Sequence, residues 1–134
     1  MSEIADTENY SSHKDSIAWQ KGMEVARAIY KATRHFPSEE RFGLTNQIRR
    51  AAVSVPSNIA EGKGRLTSGE LLQFLGIARG STLELQTQLD LAASLGFGDA
   101  AELAAIQLMV SEEIRILNAS ITTLRSRQAS KKQR

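Results

Sequence analysis

The stretch Leu44-Thr45-Asn46-Gln47-Ile48-Arg49-Arg50-Ala51-Ala52-Val53-Ser54-Val55-Pro56-Ser57-Asn58-Ile59 decides the fold. Leu44, Ile48, Ala51, Val55 and Ile59 recur at helical intervals and lay one apolar stripe along a helix. Pro56 falls inside this pattern, where it removes a backbone hydrogen bond and crowds the carbonyl of the preceding turn. Because the stripe stays in step through Ile59, the spacing predicts a helix kinked at Pro56 rather than one that stops there. Gly62-Lys63-Gly64 ends it.

Similar stripes lie on both sides. Upstream, Trp19, Met23, Ala26, Tyr30 and Thr33 form a heptad seam on a helix from Asp15 to about His35. Phe36-Pro37-Ser38 breaks that helix, and Ser38 followed by Glu39 and Glu40 suits the N-cap and first turn of the next. Downstream, Thr67 and Glu70 have capping-box spacing, and Leu71, Leu75, Ala78, Leu85, Leu89 and Ala92 form the third seam. Gly96-Phe97-Gly98 separates it from a fourth helix, capped by Asp99 with Glu102. That helix is seamed by Leu103, Ile106, Val110, Ile114, Leu117, Ile121 and Leu124.

Short links force neighbouring helices to run antiparallel, so the expected fold is all-α, an up-down-up-down four-helix bundle over residues 15–127. Residues 1–14 read as a mobile acidic tail carrying His13, and residues 128–134 as a polar basic tail. Leu72, Phe74, Ile77, Leu83, Leu91, Leu95, Leu108, Met109 and Ile116 exceed what one stripe per helix needs, which points to self-association.

The 134 residues suit one domain with a single core, and 41% hydrophobic with 24% charged residues is an ordinary globular balance. The absence of cysteine excludes a disulfide framework, a thiol nucleophile and cysteine-ligated metal. No apolar run approaches the roughly 18 residues of a membrane span, and the first residues are polar and acidic, so a cytoplasmic location is expected.

The net charge of +2 conceals strong segregation. Residues 1–15 carry a balance of −3, residues 27–65 of +5, residues 67–113 of −6, and residues 115–134 six basic groups with no acid. The alternation gives either one basic and one acidic surface or a pairing of opposite signs between antiparallel helices.

Beside the apolar seam of helix two runs a polar stripe of Gln47, Arg50, Ser54, Asn58, Glu61 and Arg65, with Arg79, Ser81 and Glu84 available from helix three. Partly desolvated side chains of this kind need partners, so a network of Asn58, Glu61 and Arg79 fixing helix register is expected. A catalytic or ligand-binding cluster is the alternative, although no nucleophile–base pair is present. Gly76 and Gly80 each cost about 1 kcal/mol against alanine inside a helix, which is explicable if another backbone or a large side chain approaches closely. His13 and His35 have no glutamate three residues before them, so no di-metal carboxylate site is expected, and no other metal or cofactor. Gly62-Lys63-Gly64-Arg65 lacks P-loop spacing and reads first as a helix stop.

The segments Trp19-Gln20-Lys21, Phe36-Pro37, Gly43-Leu44, Arg49-Arg50-Ala51-Ala52, Ser54-Val55-Pro56, Asn58-Ile59-Ala60-Glu61-Gly62, Gly64-Arg65 and Ile77-Ala78-Arg79-Gly80-Ser81 occur in this order. On them, residues 17–97 of the chain resemble the bacterial four-helix-bundle family first noticed as reading frames inside intervening sequences of 23S ribosomal RNA genes. Gln86 departs from the family's frequent glutamate. The resemblance implies a ring-shaped homopentamer. It extends to the accessory variability protein of diversity-generating retroelements, a pentamer with a basic surface that works with a reverse transcriptase and nucleic acid.

The function expected from these features is a non-enzymatic oligomeric scaffold that binds RNA or DNA. Its candidate contacts are Arg27, Lys31, Arg34, Arg41, Arg49, Lys63 and Arg65, helped by Lys131, Lys132 and Arg134. With 5% aromatic residues, and with Trp19 and Tyr30 assigned to the core seam, backbone or shape recognition is expected rather than base reading. The alternatives are a protein-interaction module using the acidic, apolar surface of helices three and four, and a small hydrolase using Glu61 or Glu84.

Overall fold

The computed structural model describes residues 12–132. Four α-helices account for most of them, and no strand occurs among the described residues: α1, Ile17–Thr33; α2, Leu44–Lys63; α3, Ser68–Ser94; and α4, Ala100–Lys132. Each helix packs on its chain neighbours, and α1 also packs on α4. The diagonal pairs do not meet, which is the arrangement of an antiparallel four-helix bundle.

The helix boundaries follow local chemistry. Ser16 caps α1 by accepting from the Trp19 amide at 3.2 Å. Of the residues assigned to the tail, His13 and Lys14 instead belong to a short 3-10 turn, His13–Asp15, which Ser12 caps by accepting from the Lys14 amide, and the His13 ring meets Trp19 edge-on at 5.2 Å. The rest of the acidic tail, residues 1–11, lies outside the described residues. Ser38 does not cap α2: Ser38–Glu40 form a separate 3-10 turn, and α2 starts at Leu44, whose amide donates to Glu40 Oε2 at 3.1 Å. Thr67 caps α3 through the Glu70 amide at 3.2 Å, and Asp99 accepts from the Glu102 amide at 2.8 Å. Between α3 and α4, Gly96 and Gly98 adopt φ of 75° and 69°, a region that side chains disfavour. At the other end, α4 continues to Lys132, beyond the expected limit at residue 127.

The α2 stripe is buried along its whole length, and the helix runs unbroken through Pro56. The α3 seam is likewise inward, with Thr82 and Gln88 completing it. Two stripes need correction. On α1 the buried residues are Ala18, Gly22, Val25, Ala26, Ile29, Ala32 and Thr33, whereas Tyr30 is exposed and Trp19 and Met23 are half-buried. Both stripes have heptad spacing, and of the expected seam only Ala26 and Thr33 are buried. On α4 Glu113 is fully buried between Val110 and Leu117, while its neighbour Ile114 is half-buried and packs against the first apolar cluster; both residues fit helical spacing in that interval.

The core divides into two apolar clusters. One gathers residues such as Ile29, Ile48, Leu89 and Val110, and the other residues such as Ile59, Ala78, Leu117 and Ile121. Glu113, 1% exposed, lies in sequence between Val110 of the first and Leu117 of the second.

Candidate nucleic-acid interface

On α1, Arg27, Lys31 and Arg34 are four and three residues apart, so they project from one face over about 10 Å of helix. All three are exposed, and none has a carboxylate partner among the described residues. They flank a groove of about 640 Å³ between α1 and α2, floored by Trp19, Met23, Ala26, Tyr30, Val53, Pro56 and Ala60, with Ser57 beside them. The groove lining contains no acid.

Arg49 adjoins this face but is fixed in place. Its Nε donates to Thr33 Oγ1 at 2.9 Å, its Nη2 reaches the Tyr30 carbonyl at 3.5 Å, and its guanidinium stacks on the Tyr30 ring at 4.6 Å. The Thr33 hydroxyl accepts this bond while donating its own proton to the Ile29 carbonyl at 2.7 Å. Arg34, Arg41 and Arg49 line one depression where α1 ends and α2 begins. Arg41 lies 4.9 Å over the ring of Phe42, which is 84% exposed.

Lys63 and Arg65 do not join this group. They stand about 20 Å along α2 from Arg49. Arg65 is held by Glu61 at 3.1 Å and Glu70 at 3.8 Å, and it stacks on Phe74 at 4.7 Å. Lys131 and Lys132 are exposed on the last turn of α4, and Arg134 lies outside the described residues.

The expected Asn58–Glu61–Arg79 network does not form. Asn58 Nδ2 donates to the Ser54 carbonyl and hydroxyl at 2.8 and 2.9 Å, and the Ser54 and Ser81 hydroxyls meet at 2.8 Å. Glu61 turns outward to Arg65, while Arg79 crosses to α4 and donates to Asn118 Oδ1 at 2.6 Å. Gln47 and Arg50 are exposed beside Glu84, whose carboxylate accepts from Gln88 Nε2 at 3.1 Å. The stripe thus resolves into separate local contacts. No group of three potential metal-ligating side chains occurs among the described residues.

Gly76 and Gly80 are a further correction. Among the described residues, nothing beyond their chain neighbours and their own helix backbone lies within 4 Å of where their Cβ atoms would stand. Close approaches occur at other glycines instead, among them Gly62, where a Cβ would meet Phe74 Cβ at 2.8 Å.

The charged group that sequence reading missed is Glu113. Both carboxylate oxygens are buried without a hydrogen-bond partner, and loss of solvent raises the carboxyl pKa from 4.5 to about 8, against the attraction of Lys21. Lys21 itself pairs with Glu112 at 3.0 Å and Glu24 at 3.3 Å, and the Glu112 contact pushes its pKa up. Spacing carried no signal for it, since residues 113 and 114 fit the interval from Val110 to Leu117 equally well.

The sequence matches a known family over residues 14–119, that of the 23S rRNA-intervening sequence protein. The chain belongs to this family. Its fold is similar to that of a crystal structure of a protein with unknown function from the S23 ribosomal protein family of Bacteroides thetaiotaomicron VPI-5482. The TM-score is 0.71 at 22% identity, covering 78% of this chain and 98% of that one. No match is found among curated proteins. Among the described residues, no helix is long and apolar enough to cross a membrane.

Proposed function

We propose that this protein is a non-enzymatic, oligomeric scaffold that binds RNA or DNA through the basic face of α1 and the start of α2. The observation that carries the reading is the row of Arg27, Lys31 and Arg34, exposed, aligned and free of carboxylate partners among the described residues. Such cations attract phosphates and release counterions when they bind. Arg41 and Arg49 extend the face, with Arg49 acting as a fixed element of its frame.

Self-association supports this mode of binding. Ile77, Leu83, Leu91, Leu95 and Leu108 remain exposed on the outer sides of α3 and α4, and the open positions at Gly76 and Gly80 admit another surface there. Repetition of a modest cationic row around a homopentameric ring, the assembly that the family resemblance implies, multiplies its avidity.

The exposed apolar residues also favour a second reading, a module that docks a partner protein without nucleic acid. A salt-series titration against labelled structured RNA and duplex DNA, with light scattering on the same sample, separates the two. Binding that weakens steeply with salt is the expected result; no retention at low salt by an oligomeric sample overturns the nucleic-acid reading.

A further inference from the structure

The groove between α1 and α2 does more than carry cations on its edge. Trp19 and Tyr30, the two large aromatic residues of α1, both line it; Tyr30 is 43% exposed, and Trp19 is half-buried, packing also against the second core cluster. One face of the Tyr30 ring carries the Arg49 guanidinium, and that bond holds the ring as a wall between the groove and the depression beyond it. Trp19, at the other end, is steadied by the edge of His13. Between them lie only aliphatic side chains, Pro56 and Ser57.

An apolar cleft with aromatic walls, a cationic border and no acid selects a ligand that is flat, unsaturated and negatively charged nearby. Its volume of about 640 Å³ falls within the range of clefts that hold small organic groups. We infer that the groove seats an unpaired nucleobase of a single strand or bulge, stacked against Trp19 or Tyr30, while Arg27, Lys31 and Arg34 hold the flanking phosphates. A base inside a duplex cannot reach these rings, so duplex contacts stop at the cations. The lining offers few directional hydrogen-bonding groups near the rings, so the site favours strong stackers over any particular sequence.

This inference rests on the nucleic-acid reading above, and the test keeps the two apart. Trp19 is the sole tryptophan, so its emission reports on this groove alone. Wild-type protein is titrated with a short single-stranded oligonucleotide, an abasic strand of equal length, a duplex, and an acidic amphipathic peptide. The expected result is saturable quenching of Trp19 by the single strand, bound about 5- to 100-fold more tightly than the abasic strand, as one stacked base implies. Equal affinity for both strands with unmoved emission overturns base insertion and leaves phosphate binding standing. Absence of binding by every nucleic acid at low salt overturns both readings. Quenching by the peptide but not by the single strand overturns the inference and assigns the groove to a protein partner.

Discussion

A methyl group at position 22 would come within 2.9 Å of Glu113 Oε2 and 3.4 Å of the Pro56 ring, so the glycine of α1 and the buried carboxyl of α4 occupy complementary space. Glycine costs about 1 kcal/mol against alanine in a helix interior, yet here it is the residue that fits. Pro56 completes the cluster from α2, and having no N–H it leaves the carbonyl of Ala52 without its usual helical donor.

Glu113 makes the fold sensitive to pH. Desolvation raises its folded pKa to about 8 from 4.5, so between those values the native state holds a proton that the unfolded chain has released. Stability therefore falls as pH rises through this window, by up to about 1.4 kcal/mol per pH unit from this group alone. Denaturant titrations from pH 5 to 9 should show the decline, and Glu113→Gln should flatten it. A wild-type slope equal to that of the variant would refute the assignment.

Gly22→Ala should destabilise the protein by about 1–3 kcal/mol despite alanine's higher helix propensity, because the added carbon meets both the carboxyl and the proline ring. The penalty should shrink in the Glu113→Ala background, which removes the nearest of these atoms. A double-mutant cycle measured by urea unfolding tests the coupling, and simple additivity would argue against it.

Gly98 carries a stronger constraint. Its φ of 69° disfavours a side chain, and a Cβ there would sit 2.9 Å from Phe36 Cε1. Gly98→Ala should cost about 2 kcal/mol or more, lowering the thermal midpoint. Gly76→Ala and Gly80→Ala should instead strengthen the isolated chain by about 0.5–1 kcal/mol each, since their surroundings are open. If another copy packs on that face, the same changes should weaken assembly in sedimentation experiments.

The cations should separate by role. Arg27→Glu with Lys31→Glu should reduce nucleic-acid affinity and flatten its salt dependence with little change in folding, because neither side chain has a carboxylate partner among the described residues. Arg49→Lys keeps the charge but loses the stacked, bidentate geometry with Tyr30 and Thr33, so about 1 kcal/mol of stability should go with it. Circular dichroism melts beside a binding titration distinguish these outcomes.

Spacing by itself determined the number of helices, their order, the capping at Thr67 and Asp99, the turn at Gly96–Gly98 and the buried stripe of α2, because each depends on neighbours in the chain. Only the tertiary structure decided which of two heptad stripes on α1 faces inward. Heptad spacing marked Trp19 and Tyr30 as core, but the stripe through Gly22, Val25 and Ile29 fills the interior, so Tyr30 is exposed and Trp19 half-buried along the surface groove. It also decided that Glu113 is fully buried while Ile114 packs half-buried beside it, and that Asn58, Glu61 and Arg79 point to three separate partners. Periodicity places residues on a face of a helix; the rotation of that helix against its neighbours, set by how the side chains fill space, determines which face is buried.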